Sequence, residues 1–319
     1  MQTIQNVVKQ FLTCCRFEKN LSAKTLKCYE IDLRQWSLFL SSNNKESVEE
    51  VCKEDLRGYL ETLQNFKPKT VKRKVATLRA MFNYLEFDNQ IVVNPMHKVR
   101  SKYREPALLP TVLDCREIEL MIRELHERVK KHSGTLWGRK VAVRNLVVIE
   151  LLFCTGCRVS EISLLNVTQV SLESGIIKIN GKGSRERMIQ ICNQEVMVLV
   201  AELITLWQVE IEKANGYLLV NRLGNRLSEQ SIRNFVGGLA RKTGIKKRVT
   251  PHVFRHSFAT LLLEADVDIK YIQSLLGHSS IMTTQIYTHV SQTRQRELLA
   301  SKHPRKNFTL SFNTQANVG

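Results

Sequence analysis

The sequence lacks several features that would assign it to a common class of protein. No stretch approaches the roughly twenty apolar residues that a membrane-spanning helix needs, and residues 1–5 lack the basic start of a signal peptide. There is no Gly-x-x-x-x-Gly-Lys-Ser/Thr loop for nucleotide phosphates and no acidic cluster for Mg²⁺. We therefore expect a soluble, cytoplasmic protein that has no membrane partner and works without ATP, a metal or any other cofactor.

The eight cysteines do not have the arrangement of a zinc site or a disulfide framework. Cys154 and Cys157 form a Cys-x-x-Cys pair, but no second pair lies at the spacing of zinc ligands. A chain of this size without a secretion signal belongs in a reducing compartment, where structural disulfides are rare. Most of the cysteines are therefore interpreted as small apolar side chains, and oxidation of Cys157 is expected to disturb the adjacent Arg158.

Acidic residues are too few to balance the basic ones. The chain has 48 Lys and Arg against 30 Asp and Glu, a formal charge of +18, and a pI near 9.7. Such an excess is typical of proteins that bind nucleic acids. A protein of the membrane surface would share this charge, but the absence of long apolar runs favours nucleic acid as the partner.

The second half of the chain contains the residue types that attack on a phosphodiester requires. The transition state carries charge on its non-bridging oxygens, and two arginines can bind those oxygens through their planar forks. A tyrosine can act as nucleophile once neighbouring cations stabilise its phenolate, and a lysine can protonate the leaving oxygen. Each residue alone has an ordinary structural interpretation, but chance is a poor explanation for the ordered set of Arg158, Lys182, His252, Arg255, His278 and Tyr287.

Local sequence signals predict where these side chains lie. Thr250-Pro251 is typical of a helix N-cap and first position, so His252 and Arg255 fall on the opening turn, where backbone N–H groups favour an anion. A second short helix is predicted at 268–276 and ends at Gly277.

Lys182 is predicted to occupy a glycine-rich hairpin tip. Three strands are predicted around it, at 169–172, 176–180 and 187–192. Glu161, three residues after Arg158, is predicted to orient a catalytic partner.

Three motifs resemble those of the tyrosine recombinases, also called the phage integrase family. The run Thr155-Gly156-Cys157-Arg158-Val159-Ser160-Glu161 resembles the first arginine box of that family. Residues 251–260 resemble the second arginine box of the family. Residues 275–289 resemble the segment that contains its tyrosine nucleophile.

The resemblance implies a specific reaction. Tyr287 would attack the scissile phosphate and give a 3′-phosphotyrosyl enzyme with a free 5′-hydroxyl. Lys182 would protonate the leaving 5′-oxygen, and His252 would assist proton transfer at the tyrosine. The phosphate oxygens would be held by Arg158, Arg255 and His278.

The fold expected from these patterns and from the resemblance is mainly α-helical with a small antiparallel β-sheet. Residues 1–93 are predicted to form a helical core-binding domain that clamps double-stranded DNA, and 94–110 a basic linker. Residues 111–290 are predicted to form an α+β catalytic domain, and 291–319 a tail that could dock on a neighbouring subunit. The resemblance implies a homotetramer on paired sites, with a dimer on each site.

Basic residues of the first half are the predicted DNA contacts. The run 67–79 has six Lys and Arg and no acid, and the alternative to DNA binding is a solvated face. The basic stretch 128–140 is either an extra loop over DNA or a solvated insertion. The predicted DNA-binding residues are Lys69, Lys72, Arg73, Arg79, Lys98, Arg100 and Lys102.

Three functions remain open on the sequence alone. The leading one is a site-specific recombinase associated with the nucleoid, either a dimer resolvase or the integrase or transposase of a mobile element. The second is a type IB topoisomerase-like enzyme that cuts and reseals one strand. The third is a catalytically silent DNA-binding regulator on the same fold, which the complete residue set disfavours.

Overall fold

The computed structural model divides the chain into two compact units, residues 1–108 and 109–319. The residues that it describes are 3–99, 111–132, 134–181, 186–277 and 292–308.

The described part of the first unit is helical. Its two short 3-10 helices are Val48–Glu50 and Pro95–Lys98. Its α-helices are α1 (Ile4–Phe17), α2 (Ala23–Ser42), α3 (Lys53–Thr62) and α4 (Pro68–Phe87).

An aromatic cluster holds these helices together. Trp36 on α2 is fully buried, and its ring centroid lies 4.9 Å from that of Tyr59 on α3 and 6.5 Å from that of Phe82 on α4. Both pairs meet edge to face, the arrangement that aromatic quadrupoles favour. The apolar periodicity of the sequence therefore produces a bundle with one core.

The second unit combines helices with one small sheet. Its α-helices are α5 (Cys115–Lys131), α6 (Leu136–Thr155), α7 (Val159–Leu164), α8 (Gln194–Leu206), α9 (Gln208–Lys213), α10 (Glu229–Lys242), α11 (Pro251–Glu264), α12 (Ile269–Leu276) and α13 (Gln292–Lys302). The antiparallel strands, in sheet order, are β1 (Val170–Ser171), β2 (Ile176–Asn180) and β3 (Glu186–Gln190). The predicted fold class, mainly α with a small antiparallel sheet, is confirmed.

Helix α6 forms the centre of this unit. Its second half is buried on all sides from Leu146 to Thr155, and it contacts α5, α8 and α11. It ends where Gly156 turns left-handed, at φ 58°. A Cβ on Gly156 would lie 2.5 Å from the ring of Phe258, so only glycine fits this close approach. This helix end directs the chain into α7.

Buried isoleucines set the register between β2 and β3. Ile177 of β2 pairs with Ile189 of β3, and both are fully buried. Alternation of buried and exposed residues fixes which face of each strand meets the core. The strand predicted at 176–180 is confirmed, the first strand is shorter than predicted, and the third runs from 186 to 190.

The described part of the basic stretch 128–140 is mostly helical rather than a loop. It comprises the end of α5, a short turn and the start of α6. Arg128 pairs with Glu124 at 2.9 Å, and Lys140 pairs with Glu210 at 2.7 Å. The prediction of a loop was wrong because helix-compatible residues continue through the basic run and find acidic partners in neighbouring turns and on α9.

The described part of the tail packs on its own unit. Helix α13 is followed by a 3-10 helix, Pro304–Asn307. Arg305 is 1% exposed and binds Glu150 in the middle of α6, with Nη2–Oε1 at 2.9 Å and Nε–Oε2 at 3.0 Å. Burial raises the pKa of Glu150, and the charge of Arg305 opposes that rise. Docking of the tail on a neighbouring subunit remains a prediction.

No helix among the described residues is both long and apolar enough to cross a membrane.

Candidate active site

Arg158 is held at the start of α7 by the carboxylate of Glu161. As the N-cap residue, it donates its backbone N–H to Glu161 Oε2 at 2.8 Å and its Nη1 to Oε1 at 2.9 Å. Its Nη2 donates to the carbonyl of Gly277 at 3.2 Å. The side chain keeps 41% of its surface exposed, so a ligand can reach the guanidinium.

Arg255 lies on the first turns of α11, whose start is as the sequence predicts. Thr250 is the N-cap, its Oγ1 accepts the N–H of Val253, and Pro251 is the first helical residue. Arg255 is buried and donates Nη1 to the Gly156 carbonyl at 3.0 Å and Nη2 to the Leu276 carbonyl at 2.8 Å. Burial, aided by the charge of Arg158, lowers the pKa of Arg255 to about 10. The side chain therefore stays charged at neutral pH.

The two arginines meet at the C-terminal end of α12. Gly277 caps this helix with φ 65°, as predicted, and the carbonyls of Leu276 and Gly277 accept from Arg255 and Arg158 respectively. The last carbonyls of a helix have no partner within it and carry partial negative charge. Cations are therefore favoured here, immediately before His278 in the chain.

Glu161 is the shared acceptor behind the site. It is 8% exposed and accepts four hydrogen bonds among the described residues, two from Arg158 and two from Arg187. Burial alone would raise its pKa, but the hydrogen bonds and charges of the two arginines lower the pKa of Glu161 to about 2. The predicted supporting role of Glu161 fits this geometry, because an ionised carboxylate fixes both guanidinium planes.

Arg187 was missed by sequence reasoning. It lies on β3 two residues before the buried Ile189, and so on the same face of the strand. An arginine on the buried face of a strand requires an acidic or carbonyl partner. That position was the signal that could have revealed it.

His252 lies on the exposed side of the first turn of α11. Its ring packs edge to face against His256, with centroids 4.5 Å apart. His252 and Arg255 share the opening turn, but Arg255 points into the unit and His252 does not.

Several predicted site residues lie outside the described residues. They are Lys182, His278, Tyr287, Arg100 and Lys102. Of the predicted catalytic set, the structure therefore places Arg158, His252 and Arg255, together with the supporting Glu161.

The basic run on α4 divides into a buried part and an exposed part. Lys74 is buried and binds Asp32 Oδ1 at 3.1 Å, and Arg73 binds Oδ2 of the same carboxylate. Asp32 itself is 1% exposed. Arg73 keeps 40% of its side-chain surface exposed but already has this partner.

The other described residues of the predicted DNA-binding set are exposed. Three lie at spacings of three and seven residues on α4, which puts them on one side of the helix. The exposed residues are Lys69, Lys72, Arg79 and Lys98.

Four of the cysteines, Cys14, Cys15, Cys154 and Cys157, are buried, as expected of small apolar side chains. All eight lie within the described residues and none forms a disulfide. Cys157 is fully buried, and burial raises the pKa of its thiol to about 11, against the opposing charge of Arg187. Because the thiolate is the reactive form, the structure argues against the expected oxidation of Cys157. No group of three or more potential ligands that could hold a metal occurs among the described residues.

Comparison with known proteins agrees with the fold. The sequence matches the phage integrase N-terminal SAM-like domain over residues 8–87 and the phage integrase family over residues 112–294. A tyrosine recombinase of Agathobacter rectalis is 40% identical over 97% of this chain and 99% of its own length. The tyrosine recombinase XerD of Oceanobacillus iheyensis is 32% identical over 95% of this chain and 99% of its own length.

Solved structures of recombinases share the fold of this chain. The XerH site-specific recombinase bound to its difH substrate, in a pre-cleavage complex, has a TM-score of 0.62 and 25% identity, over 91% of this chain and 83% of that one. A lambda integrase dimer bound to a core site shares the fold, with a TM-score of 0.63 at 15% identity, over 88% of this chain and 96% of that one. The topoisomerase-like and silent-regulator alternatives are not favoured. The chain belongs to the phage integrase family of tyrosine recombinases and is a site-specific DNA recombinase.

Proposed function

We propose that the enzyme cleaves each DNA strand with Tyr287 while Arg158 and Arg255 hold the scissile phosphate. The observation that carries this proposal is the meeting of the two guanidiniums at the end of α12, on successive carbonyls. A single phosphate can contact both cations there, and the exposed edge of Arg158 gives it access.

The reaction proceeds by in-line transfer of the phosphoryl group. The Tyr287 oxygen forms a bond to phosphorus as the bond to the 5′-oxygen breaks, and the extra charge falls on oxygens held by Arg158, Arg255 and His278. Lys182 gives its proton to the leaving 5′-oxygen, and His252 accepts the proton of the tyrosine. Since the phosphotyrosine keeps the bond energy, a 5′-hydroxyl of another strand reverses the step and rejoins the DNA.

The exposed basic residues hold the duplex. One side of α4 carries the exposed charges of Lys69, Lys72 and Arg79. Lys98, at the end of the 3-10 helix Pro95–Lys98, is also exposed. Contacts of this kind are made to phosphates and weaken as salt rises. Arg73 contributes less because Asp32 already binds it.

The assembly on DNA follows from the reaction. Exchange needs four cleaved strands, so a dimer occupies each site and a homotetramer joins two sites. In this proposal the enzyme acts on cytoplasmic, nucleoid DNA, either as a dimer resolvase or as a mobile-element integrase or transposase. Deletion between two sites on one plasmid, compared with joining of two plasmids, separates these roles.

The nucleophile is tested with a nicked duplex that carries the DNA flanking its own gene. Wild-type protein is expected to form an adduct that survives SDS, because cleavage beside the nick releases a short strand that cannot religate. Tyr287→Phe is expected to form none, since it lacks the attacking oxygen.

The matched control is Tyr217→Phe, a half-buried tyrosine of the same unit, which should form the adduct at the wild-type level. An adduct in Tyr287→Phe would contradict the assignment of the nucleophile.

A further inference from the structure

Strand β3 carries a charged residue that the proposed reaction does not use. Arg187 is 13% exposed in its side chain and lies between α7 and the end of α12. We propose that Arg187 is a positioning residue that locks the phosphate-binding arginines to the end of α12. This inference rests on the proposed function.

The first part of this positioning role is a bidentate salt bridge between Arg187 and Glu161. Arg187 Nη2 lies 2.8 Å from Oε2, and Nη1 lies 3.1 Å from Oε1. Arg158 binds the same two oxygens through its backbone N–H and its Nη1. With Arg187 in place, the lone pairs of the carboxylate are divided between the two arginines, and Arg158 keeps an edge for phosphate.

The second part of this positioning role is a hydrogen bond to the backbone of α12. Arg187 Nε donates to the Leu275 carbonyl at 2.9 Å. A Cβ on Gly277 would lie only 3.1 Å from Arg187 Nη1, so the guanidinium packs directly on the helix cap.

Three guanidiniums therefore donate hydrogen bonds to three successive carbonyls. Arg187 donates to Leu275, Arg255 to Leu276 and Arg158 to Gly277. These are the carbonyls that a helix end leaves without intrahelical partners. The arrangement fixes the end of α12, at Gly277, relative to both phosphate-binding arginines.

Arg187 does not bind the phosphate itself. All three of its guanidinium nitrogens donate to protein acceptors, and its side chain is far less exposed than that of Arg158. It also belongs to the strand that follows Lys182 in the hairpin. Its contacts thus tie this strand to the end of α12 and to Glu161.

Loss of Arg187 has a definite consequence for Arg158. Glu161 would keep its negative charge with one partner fewer, and its freed lone pairs would draw the Arg158 guanidinium inward. The end of α12 would lose one of its anchors at the same time. Displacements of about 1 Å at a reacting centre cost about 10²-fold in rate.

The test compares variants in single-turnover cleavage of the nicked duplex. Arg187→Lys keeps the charge but loses the planar fork, and we expect cleavage to slow by about 10- to 100-fold while DNA affinity stays within about twofold, since no DNA contact is lost. In Arg187→Ala, added guanidinium ion is expected to restore part of the rate, whereas the same concentration of NaCl does not.

Arg144→Lys is the matched control. Arg144 is a half-buried arginine of the same unit that donates to the Val220 carbonyl and to Asn145, away from the site. It should cleave at the wild-type rate. Thermal melts of all variants show whether each is folded.

Wild-type cleavage by Arg187→Lys would overturn the inference. So would a rate loss that guanidinium does not restore in a folded Arg187→Ala, because a merely structural role would leave that signature. If the wild-type protein forms no adduct, or Tyr287→Phe forms one, the proposed function fails instead.

Discussion

At the scale of single residues, the site depends on one carboxylate that serves two arginines. Glu161 binds both Arg158, the proposed phosphate-binding residue, and Arg187, which contacts the end of α12, and both bonds require its charge. A buried acid is normally protonated more easily than an exposed one. Here two guanidiniums reverse that tendency, so the pKa of Glu161 falls to about 2.

Glu161→Gln removes this charge and is expected to lower the free energy of unfolding at neutral pH. The folded-state pKa lies below the ordinary value of 4.5, so the charge stabilises the fold above about pH 4.5, and that stabilisation is lost as pH falls toward 2. It amounts to about 3 kcal/mol at neutral pH. Urea unfolding should show a gap between wild type and Glu161→Gln that narrows by about half at pH 3. A gap that is the same at pH 7 and pH 3 would contradict this account.

At the scale of elements, helix and strand ends do most of the positioning. Arg158 caps α7, Arg255 follows the capped start of α11, and both reach the end of α12. The 3-10 helix Pro304–Asn307 of the tail is likewise positioned by the residue that caps its start. His303 caps its 3-10 helix by accepting the Arg305 N–H at its Nδ1.

His303 is expected to make the protein sensitive to acid. It is buried, and burial lowers its pKa from 6.5 to about 4. The unfolded chain therefore takes up this proton first, and stability falls as pH drops from about 6.5 to 4, by about 3 kcal/mol.

His303→Asn keeps an oxygen acceptor for the cap but cannot titrate. Chemical unfolding between pH 7 and pH 4 should show a shallower loss of stability than in wild type. The exposed His132→Asn serves as control, and equal slopes in His303→Asn and wild type would refute the prediction.

The parts of the fold and of the candidate site that depend on residues close together in the chain could be predicted from the sequence. The N-cap at Thr250, the glycine cap at Gly277 and the hairpin strands depend on neighbours in the chain, and the structure confirms them. Arg187 and Glu161 are 26 residues apart, and no local pattern states that they pair. The same holds for Lys74, whose partner Asp32 lies on another helix.

At the scale of the whole molecule, the charge of +18 is not one uniform surface. Some basic side chains are buried inside the units, as Lys74 and Arg305 are, and others are exposed to solvent. Only the exposed part can release counterions from DNA. The net charge therefore overstates the number of contacts.

Lys72→Ala and Lys74→Met are expected to separate these two uses of charge. Lys72→Ala should lower DNA affinity for all sequences and reduce the slope of log K against log salt by about one, with stability unchanged, since the side chain is exposed. Lys74→Met should cost about 3 kcal/mol or more in unfolding free energy, because it leaves the buried Asp32 with one cation fewer.

Filter binding over a salt series and urea unfolding measure the two effects. An unchanged salt slope in Lys72→Ala would remove it from the DNA-binding surface.

The grip on the end of α12 consists entirely of main-chain acceptors. The three arginines recognise carbonyl oxygens of Leu275, Leu276 and Gly277 and none of their side chains. These three contacts therefore depend on where the helix ends, and that end requires glycine at 277, since φ is 65° and a Cβ would lie 3.1 Å from Arg187 Nη1. An insertion or a proline in this turn would therefore displace the acceptors of all three arginines at once.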